Sequence, residues 1–164
     1  MKSVYILPNG KSLGPGDFCR YFEKKVLYTV RKFEMPQEVK VKKNRSVNSK
    51  VLSFLYEKFG FMKNNSKVTA LDDSTDDFAT TVMNSWFENK KADLSPRSSK
   101  AIRPLFLMTE QEIMIYSSLK HLKGKPKKKN PARAMLDSME KIHPEVKRAI
   151  VQAYLQLLEI RSKK

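Results

Sequence analysis

The chain has 164 residues and a hydrophobic fraction of 40%, which fit one compact domain or a domain with a helical tail and exclude wholesale disorder. Apolar runs are too short to span a membrane, and Cys19, the single cysteine, excludes an intramolecular disulfide and a multi-cysteine metal site within these residues. With 33 Lys and Arg against 17 Asp and Glu, the net charge is +16, so we expect a cytoplasmic protein that faces nucleic acid rather than a membrane.

The first part of the chain predicts a strand, turns and a long helix. Residues 4–7 suit a short strand, and the Pro and Gly residues that follow it predict turns. Asp17 is the expected N-cap of a helix that reaches about Phe33, because apolar residues recur there at steps of three and four. The cations on the rest of that helix suit a solvated face or an RNA-facing surface, and both interpretations stay open. They include Arg20, Lys24 and Arg31.

A second strand and helix come next. Residues 39–41 alternate as a strand does, and Asn48 or Ser49 is the expected cap of a helix that runs through Phe59. Such a unit points the first amides of its helix at any anion held in the loop. The loop, residues 43–49, has no glycine, although a close approach of backbone to phosphate usually needs one, so it is weak as an ATP site. The cations around it are Lys42, Lys43 and Arg45.

A third strand, at residues 68–71, leads into a helix that begins among aspartates. Ser74 stands three residues before Asp77, the spacing of a capping box, and the helix continues to Phe87 with Trp86 in the core. The carboxylates either complement the positive end of the helix dipole or hold Mg²⁺ and orient a nucleotide or substrate. The spacing favours the first interpretation, since anionic side chains suit a helix start. The residues are Asp72, Asp73, Asp76 and Asp77.

The last third predicts helices separated by a basic stretch. Residues 89–103 predict a polar loop, and Thr109 with Glu112 forms a second capping box. Two prolines further along each start another helix. The stretch at residues 120–133 has no acidic residue; it is typical of a mobile loop and of a phosphate-backbone contact, and the net charge favours the second. Its central lysines are Lys123, Lys125, Lys127, Lys128 and Lys129.

A family resemblance rests on four segments: residues 18–33, 76–87, 102–112 and 134–158. In the same order they resemble segments of the PP-loop ATPases that thiolate tRNA, the 2-thiocytidine and 2-thiouridine synthetases. The resemblance implies an α/β fold with a small parallel sheet of PP-loop ATPase (adenine nucleotide alpha hydrolase-like) type, flanked by helices. It divides the chain into a reduced PP-loop domain at residues 1–122, a basic linker at 123–130 and a C-terminal helical extension at 131–164.

The resemblance also implies ATP and Mg²⁺ as cofactors. The family's Ser-Gly-Gly-x-Asp-Ser loop corresponds to residues 44–49, which read Asn-Arg-Ser-Val-Asn-Ser. The family's paired zinc-finger cysteines and catalytic cysteines are missing, so neither zinc nor an iron–sulfur cluster is expected, and no catalytic residue or metal ligand is assigned. The implied cofactor-binding residues are Ser46, Asn48 and Ser49 near the phosphates, with Asp76 and Asp77 for metal or substrate.

This pattern of loss is similar to the non-catalytic second subunit of the eukaryotic cytosolic tRNA 2-thiolation complex. It implies a protein of tRNA wobble-uridine 2-thiolation that binds tRNA through Arg103 and the lysine-rich linker and has lost much of its adenylation and sulfur transfer. The implied partners are tRNA and a full-length catalytic thiolase or a ubiquitin-like sulfur carrier. Two alternatives stay open: a basic helical RNA- or ribosome-binding module, and a small active thiolase that completes its site with another subunit.

Overall fold

The computed structural model describes residues 2–163, in which short strands alternate with longer helices along most of the chain. No helix within residues 2–163 is both long and apolar enough to cross a membrane. The elements in chain order are β1 (Tyr5–Ile6), β2 (Ser12–Leu13), α1 (Pro15–Lys32), β3 (Lys40–Val41), α2 (Val47–Lys58), β4 (Thr69–Ala70), α3 (Thr75–Phe87), β5 (Ala101–Ile102), α4 (Glu110–Leu119), α5 (Pro131–Glu140) and α6 (Val146–Ser162).

The strands form two separate sheets. β1 and β2 pair as an antiparallel hairpin, so the strand predicted at residues 4–7 lies outside the main sheet. β3, β4 and β5 form a parallel sheet in that order, with Thr69 of β4 opposite Lys40 on one side and Ala101 on the other. This confirms the predicted α/β fold with a small parallel sheet. β5 lies in a stretch predicted to be a loop, because a two-residue strand is too short to show alternation.

The core forms where α1, α2 and α4 pack together. Phe22 of α1 stacks on Tyr116 of α4 with ring centroids 4.5 Å apart, and both side chains are fully buried. Removing a ring of this size from water contributes roughly 1.5–3 kcal/mol. A second contact joins α3 to α6, where Phe78 lies 5.8 Å from Tyr154 between ring centroids. Burial on α3 stops one turn before its end, so Trp86, predicted to be core, is instead 47% exposed.

Two of the predicted helix caps are wrong. α1 begins at Pro15, whose fixed φ suits a first helical position, so Asp17 lies inside the first turn instead of capping it. α2 is capped by Ser46, whose side chain accepts from the amide of Ser49, and not by Asn48 or Ser49. The physical reason is that Ser46 has the extended backbone a cap requires. Both predicted capping boxes are confirmed: Ser74 with Asp77, and Thr109 with Glu112.

Candidate functional site

The carboxyl ends of the three parallel strands meet at one edge of the sheet, where open parallel sheets bind ligands. Each strand continues there: into residues 42–46 after β3, residues 71–74 after β4 and Arg103 after β5. We name this edge of the sheet, formed by these residues and by the amino ends of the helices that follow them, the loop edge. The first two segments lead into α2 and α3, so the amino ends of both helices, with their spare amides, point at this edge.

The side chain of Asp72 contacts several polar groups of the loop edge. Its carboxylate accepts hydrogen bonds from Ser46 Oγ at 2.5 Å and from Asn44 Nδ2 at 3.2 Å. Burial alone would raise the pKa of Asp72, but the hydrogen bond from Ser46 and the charge of Lys127, 3.3 Å away, outweigh burial and lower the pKa. Asp72 is thus a buried carboxylate that stays charged and holds the side chains of Asn44 and Ser46. The sequence presented it only as one of four aspartates.

Four of the five residues predicted to bind a nucleotide lie together at the loop edge. Asn48 Nδ2 donates to the backbone carbonyl of Asp72 at 3.1 Å and to Asp77 Oδ2 at 3.3 Å. Ser49 Oγ donates to a backbone carbonyl of the β3 loop at 3.1 Å, while Ser46 caps α2. These contacts hold the two loops against each other. Binding of ATP or Mg²⁺ by this group stays a prediction.

Asp76, the fifth of those residues, faces away from the other four. Its carboxylate accepts from the amide of Glu110 at 2.6 Å, at the start of α4, and lies 3.2 Å from Nη2 of Arg133 in α5. Its other close partner is Lys147 of α6, with Nζ 2.6 Å from Oδ1. Asp76 therefore joins the amino ends of three helices to α3.

Lys147 lies among three carboxylates that could otherwise hold a metal ion. Asp76, Asp137 and Glu140 each offer an oxygen within 4.8 Å of the others. Lys147 Nζ donates to them at 2.6, 2.6 and 2.7 Å, so the chain's own ammonium supplies the balancing charge. Burial would lower the pKa of Lys147, but the hydrogen bonds to Asp137 and Asp76 outweigh burial and raise the pKa.

A cleft of about 1020 Å³ opens beside this cluster. Its walls come from the β1 segment, the start of α4, and the facing ends of α5 and α6. Five acidic and five basic side chains line the cleft, so it carries no net charge. A polyanion is therefore better matched by the loop edge than by this cleft.

The basic linker lies directly across the start of α2. We name residues 123–128 the strap. The amide of Val47 donates to the carbonyl of Lys125 at 3.0 Å, and the amide of Lys125 donates to the carbonyl of Arg45 at 2.8 Å. Lys127 points inward, with Nζ donating to Asp77 Oδ2 at 2.8 Å. Burial would lower the pKa of Lys127, but the charge of Asp77 outweighs burial and raises the pKa.

The loop edge in this arrangement does not fit ATP with Mg²⁺. A phosphate at the start of α2 would compete with the strap, which engages the amide of Val47. A magnesium ion would need the carboxylates of Asp72 and Asp77, which Lys127 contacts at 3.3 and 2.8 Å. The backbone of residues 43–49 also lacks the glycines of a phosphate cradle.

Several cations predicted to bind nucleic acid share one exposed surface. The strap runs beside the β3 loop, because Lys125 pairs through its backbone with Arg45 and Ser46. This pairing brings exposed cations of two distant segments together at the loop edge. They are Lys42, Lys43, Arg45, Lys123, Lys125 and Lys128, and we name them the basic rim.

The remaining predicted cations lie elsewhere or are engaged in ion pairs. Arg103 Nε donates to Asp73 Oδ2 at 2.8 Å and is largely buried. Lys129 Nζ donates to Asp137 Oδ2 at 2.7 Å, at the start of the C-terminal helices. The cations predicted on α1 are exposed along that separate helix: Arg20, Lys24 and Arg31.

Cys19 lies far from the loop edge. Burial raises the pKa of its thiol, and the nearest charges are Lys120, Glu23 and Lys58. Lys58 is the last residue of α2, whereas the strap crosses the first turn, and a helix of 12 residues is about 18 Å long. Within residues 2–163, no cysteine therefore lies at the carboxyl ends of the strands.

One signal in the sequence could have revealed the cluster around Lys147. This lysine shares the helical spacing of Val151 and Tyr154, so it lies on the buried face of α6. A cation on an apolar face requires carboxylate partners. No such signal predicts that Lys127 points toward Asp77, because the strap is not a helix or strand and its residues show no regular apolar spacing.

Comparisons with known proteins show the fold. No family model matches the chain, and no curated protein matches it. Among solved structures, the chain is similar to the U34-tRNA thiolase NcsA from Methanococcus maripaludis, described with its 4Fe-4S cluster, at 19% sequence identity and a TM-score of 0.73. The match covers 96% of this chain and 84% of that one. The chain therefore has the fold of a tRNA thiolase. Since that protein carries a cluster, the fold itself does not exclude one.

Proposed function

We propose that the chain is a tRNA-binding protein of wobble-uridine 2-thiolation, in which it acts as a non-catalytic partner of a full-length thiolase. The observation that carries the proposal is the basic rim, which lies at the ligand edge of a thiolase fold. The backbone pairing of Lys125 with Arg45 fixes the two halves of the rim side by side.

The chemistry of thiolation supports a non-catalytic role. The reaction must activate a carbonyl oxygen with ATP and then deliver sulfur from a thiolate or a cluster. The start of α2 is engaged by the strap, and Cys19 lies toward the opposite end of that helix. Both requirements would therefore be met by a partner subunit.

The charge of the rim supports RNA as the ligand. Its six cations are exposed and come from two adjacent segments, which suits contacts to successive backbone phosphates. If each cation neutralises one phosphate, the logarithm of the binding constant would fall with the logarithm of salt with a slope of about −4 to −5. We propose tRNA, together with a catalytic thiolase or a ubiquitin-like sulfur carrier, as the partners and the cytoplasm as the location.

The test compares two double variants that remove the same charge. Arg45→Ala with Lys123→Ala alters the rim, whereas Lys67→Ala with Lys100→Ala removes two exposed cations that precede β4 and β5, at the opposite edge of the sheet. In filter binding to a transcribed tRNA, we expect the rim variant to bind more weakly and to reduce the steepness of the salt dependence by about 1.5. The control variant should keep the affinity and the salt dependence of the unaltered chain.

Equal losses in the two variants would mean that net charge, and not the rim, binds RNA. Equal affinity for tRNA and for an unrelated RNA duplex would favour the general RNA- or ribosome-binding module. Addition of a catalytic thiolase then tests the partner role, since the proposal requires a complex that contains both proteins and tRNA.

A further inference from the structure

We propose that the strap is a built-in occupant of the phosphate position at the start of α2, so that a nucleotide and the strap cannot be bound there together. The chain holds its own backbone and the ammonium of Lys127 where a nucleotide would place phosphate and cation. This inference does not depend on RNA binding, and it is tested separately.

The first support is the backbone pairing. The amide of Val47 donates to Lys125 and the amide of Lys125 donates to Arg45, at 3.0 and 2.8 Å. Val47 is the first residue of α2, and amides in this turn have no partner within the helix. The carbonyl of Lys125 in the strap therefore accepts from a backbone amide of the type that a helix start offers to an anion.

The second support is the closeness of the approach at Gly124. A Cβ atom built on Gly124 would lie 2.7 Å from both Cα and N of Val47, and 2.9 Å from the carbonyl carbon of Ser46. These are backbone atoms, so no side-chain rotation could relieve the contact. Even a methyl group does not fit between the strap and α2, and a phosphate is larger than a methyl group.

The third support is the charge balance beneath the strap. Lys127 Nζ lies 3.3 Å from Asp72 Oδ1, 3.1 Å from the Asp72 carbonyl and 2.8 Å from Asp77 Oδ2. Two partly buried carboxylates would repel phosphate if they were left unpaired. Lys127 neutralises them from within the chain, while Lys125 and Lys128 remain exposed on the outer side of the strap.

Two variants open the strap by different routes, and a third is the control. Gly124→Ala introduces the Cβ clash, and Lys127→Met removes the ammonium but keeps the length of the side chain. Lys128→Ala changes an exposed neighbour in the same strap. Melting curves by circular dichroism establish that each protein is folded, and either opening variant alone is sufficient for the test.

The first measurement is hydrogen exchange at the amides of Val47 and Lys125. We expect exchange about tenfold faster in Gly124→Ala and Lys127→Met than in the unaltered chain or Lys128→Ala, because local opening exposes these amides. Unchanged exchange in both opening variants would overturn the assignment of Gly124 and Lys127 as the residues that hold the strap.

The second measurement is calorimetry with ATP, with and without Mg²⁺. We expect Gly124→Ala to bind ATP about tenfold or more tightly than the unaltered chain and Lys128→Ala, since the binding-competent state is then populated. Lys127→Met should show the same gain only with Mg²⁺, because without a cation the unpaired Asp72 and Asp77 would repel phosphate. Equal ATP affinity in all four proteins, with exchange accelerated in the variants, would overturn the proposal. Neither measurement involves tRNA, so this proposal can fail while the proposed tRNA binding holds, and the reverse.

Discussion

Replacement of Lys147 by methionine should destabilise the protein strongly. Lys147 is 3% exposed and donates to Asp76, Asp137 and Glu140 at 2.6, 2.6 and 2.7 Å. Methionine retains much of the packing volume but leaves three carboxylates with one cation fewer. Removal of one partner from a buried ion pair costs about 3–5 kcal/mol, because the carboxylate of Asp76, 5% exposed, then stays buried with only Arg133 to balance it. In a chain of 164 residues this corresponds to a melting temperature lower by about 6–20 °C.

The matched control is Lys129→Met. Lys129 donates to the same Asp137 at 2.7 Å, but its side chain is 60% exposed. An exposed pair contributes about 1 kcal/mol or less. Urea unfolding followed by circular dichroism should therefore separate the two variants by at least about 2 kcal/mol. Equal free energies of unfolding would refute the argument that burial of Lys147 decides its contribution.

The dependence on pH gives a second check of the same cluster. Burial would raise the pKa of Asp137, but the hydrogen bonds from Lys129, Lys147 and Arg133 outweigh burial and hold the pKa far below its usual range. A lowered folded pKa gives stabilisation that is present above the unfolded pKa of about 3.9 and is lost as the pH falls through the folded value. The difference in the free energy of unfolding between Lys147→Met and the unaltered chain should therefore shrink in acid. A difference that grew below about pH 4 would contradict this sign.

Further substitutions test three other parts of the structure. Glu112→Gln should cost about 3 kcal/mol in urea unfolding, because Glu112 is fully buried and pairs with Lys25 at 2.8 Å; an effect below about 1 kcal/mol would contradict this. Since the charge of Lys25 lowers the pKa of Glu112 against the opposing effect of burial, the cost should diminish as the pH falls through that pKa. Ser46→Ala should cost about 1–2 kcal/mol as the lost cap of α2, and threonine should restore most of it. Phe78→Ala, at 1% exposure, should cost about 3–5 kcal/mol, and Trp86→Ala, at 47%, less than about 2; the reverse order in thermal melts would contradict the observed burial.

The parts of the fold that sequence could predict are those set by neighbouring residues. The capping boxes at Ser74 and Thr109 are local patterns, and the structure confirms both. The sequence does not predict β5, because its two residues join the sheet by pairing with β4, about 30 residues away, which no local pattern reports. The spacing of Trp86 continues the apolar face of α3 and predicts a core residue, but burial on that helix ends at Val82.

The candidate site could be predicted only in part, for a geometric reason. Asp76 and Asp77 are adjacent in sequence, yet successive residues of a helix point about 100° apart. Asp77 therefore meets Asn48 and Lys127 at the loop edge, whereas Asp76 meets Lys147. From sequence, the adjacent aspartates predict a single site. In the structure they belong to two sites on different sides of α3.

This division makes the first turn of α3 the link between the strap and the C-terminal helices. On the far side of the strap, Arg133 ties α5 to Asp76 and Asp137 at 3.2 and 3.1 Å. These contacts do not involve Lys127, so the strap can leave α2 while α5 stays in place. We therefore expect Gly124→Ala to speed hydrogen exchange at the amide of Val47 with little change in melting temperature. Lys147→Met should lower the melting temperature with little change in exchange at Val47. A large fall in the melting temperature of Gly124→Ala would show that strap and helices open as one unit.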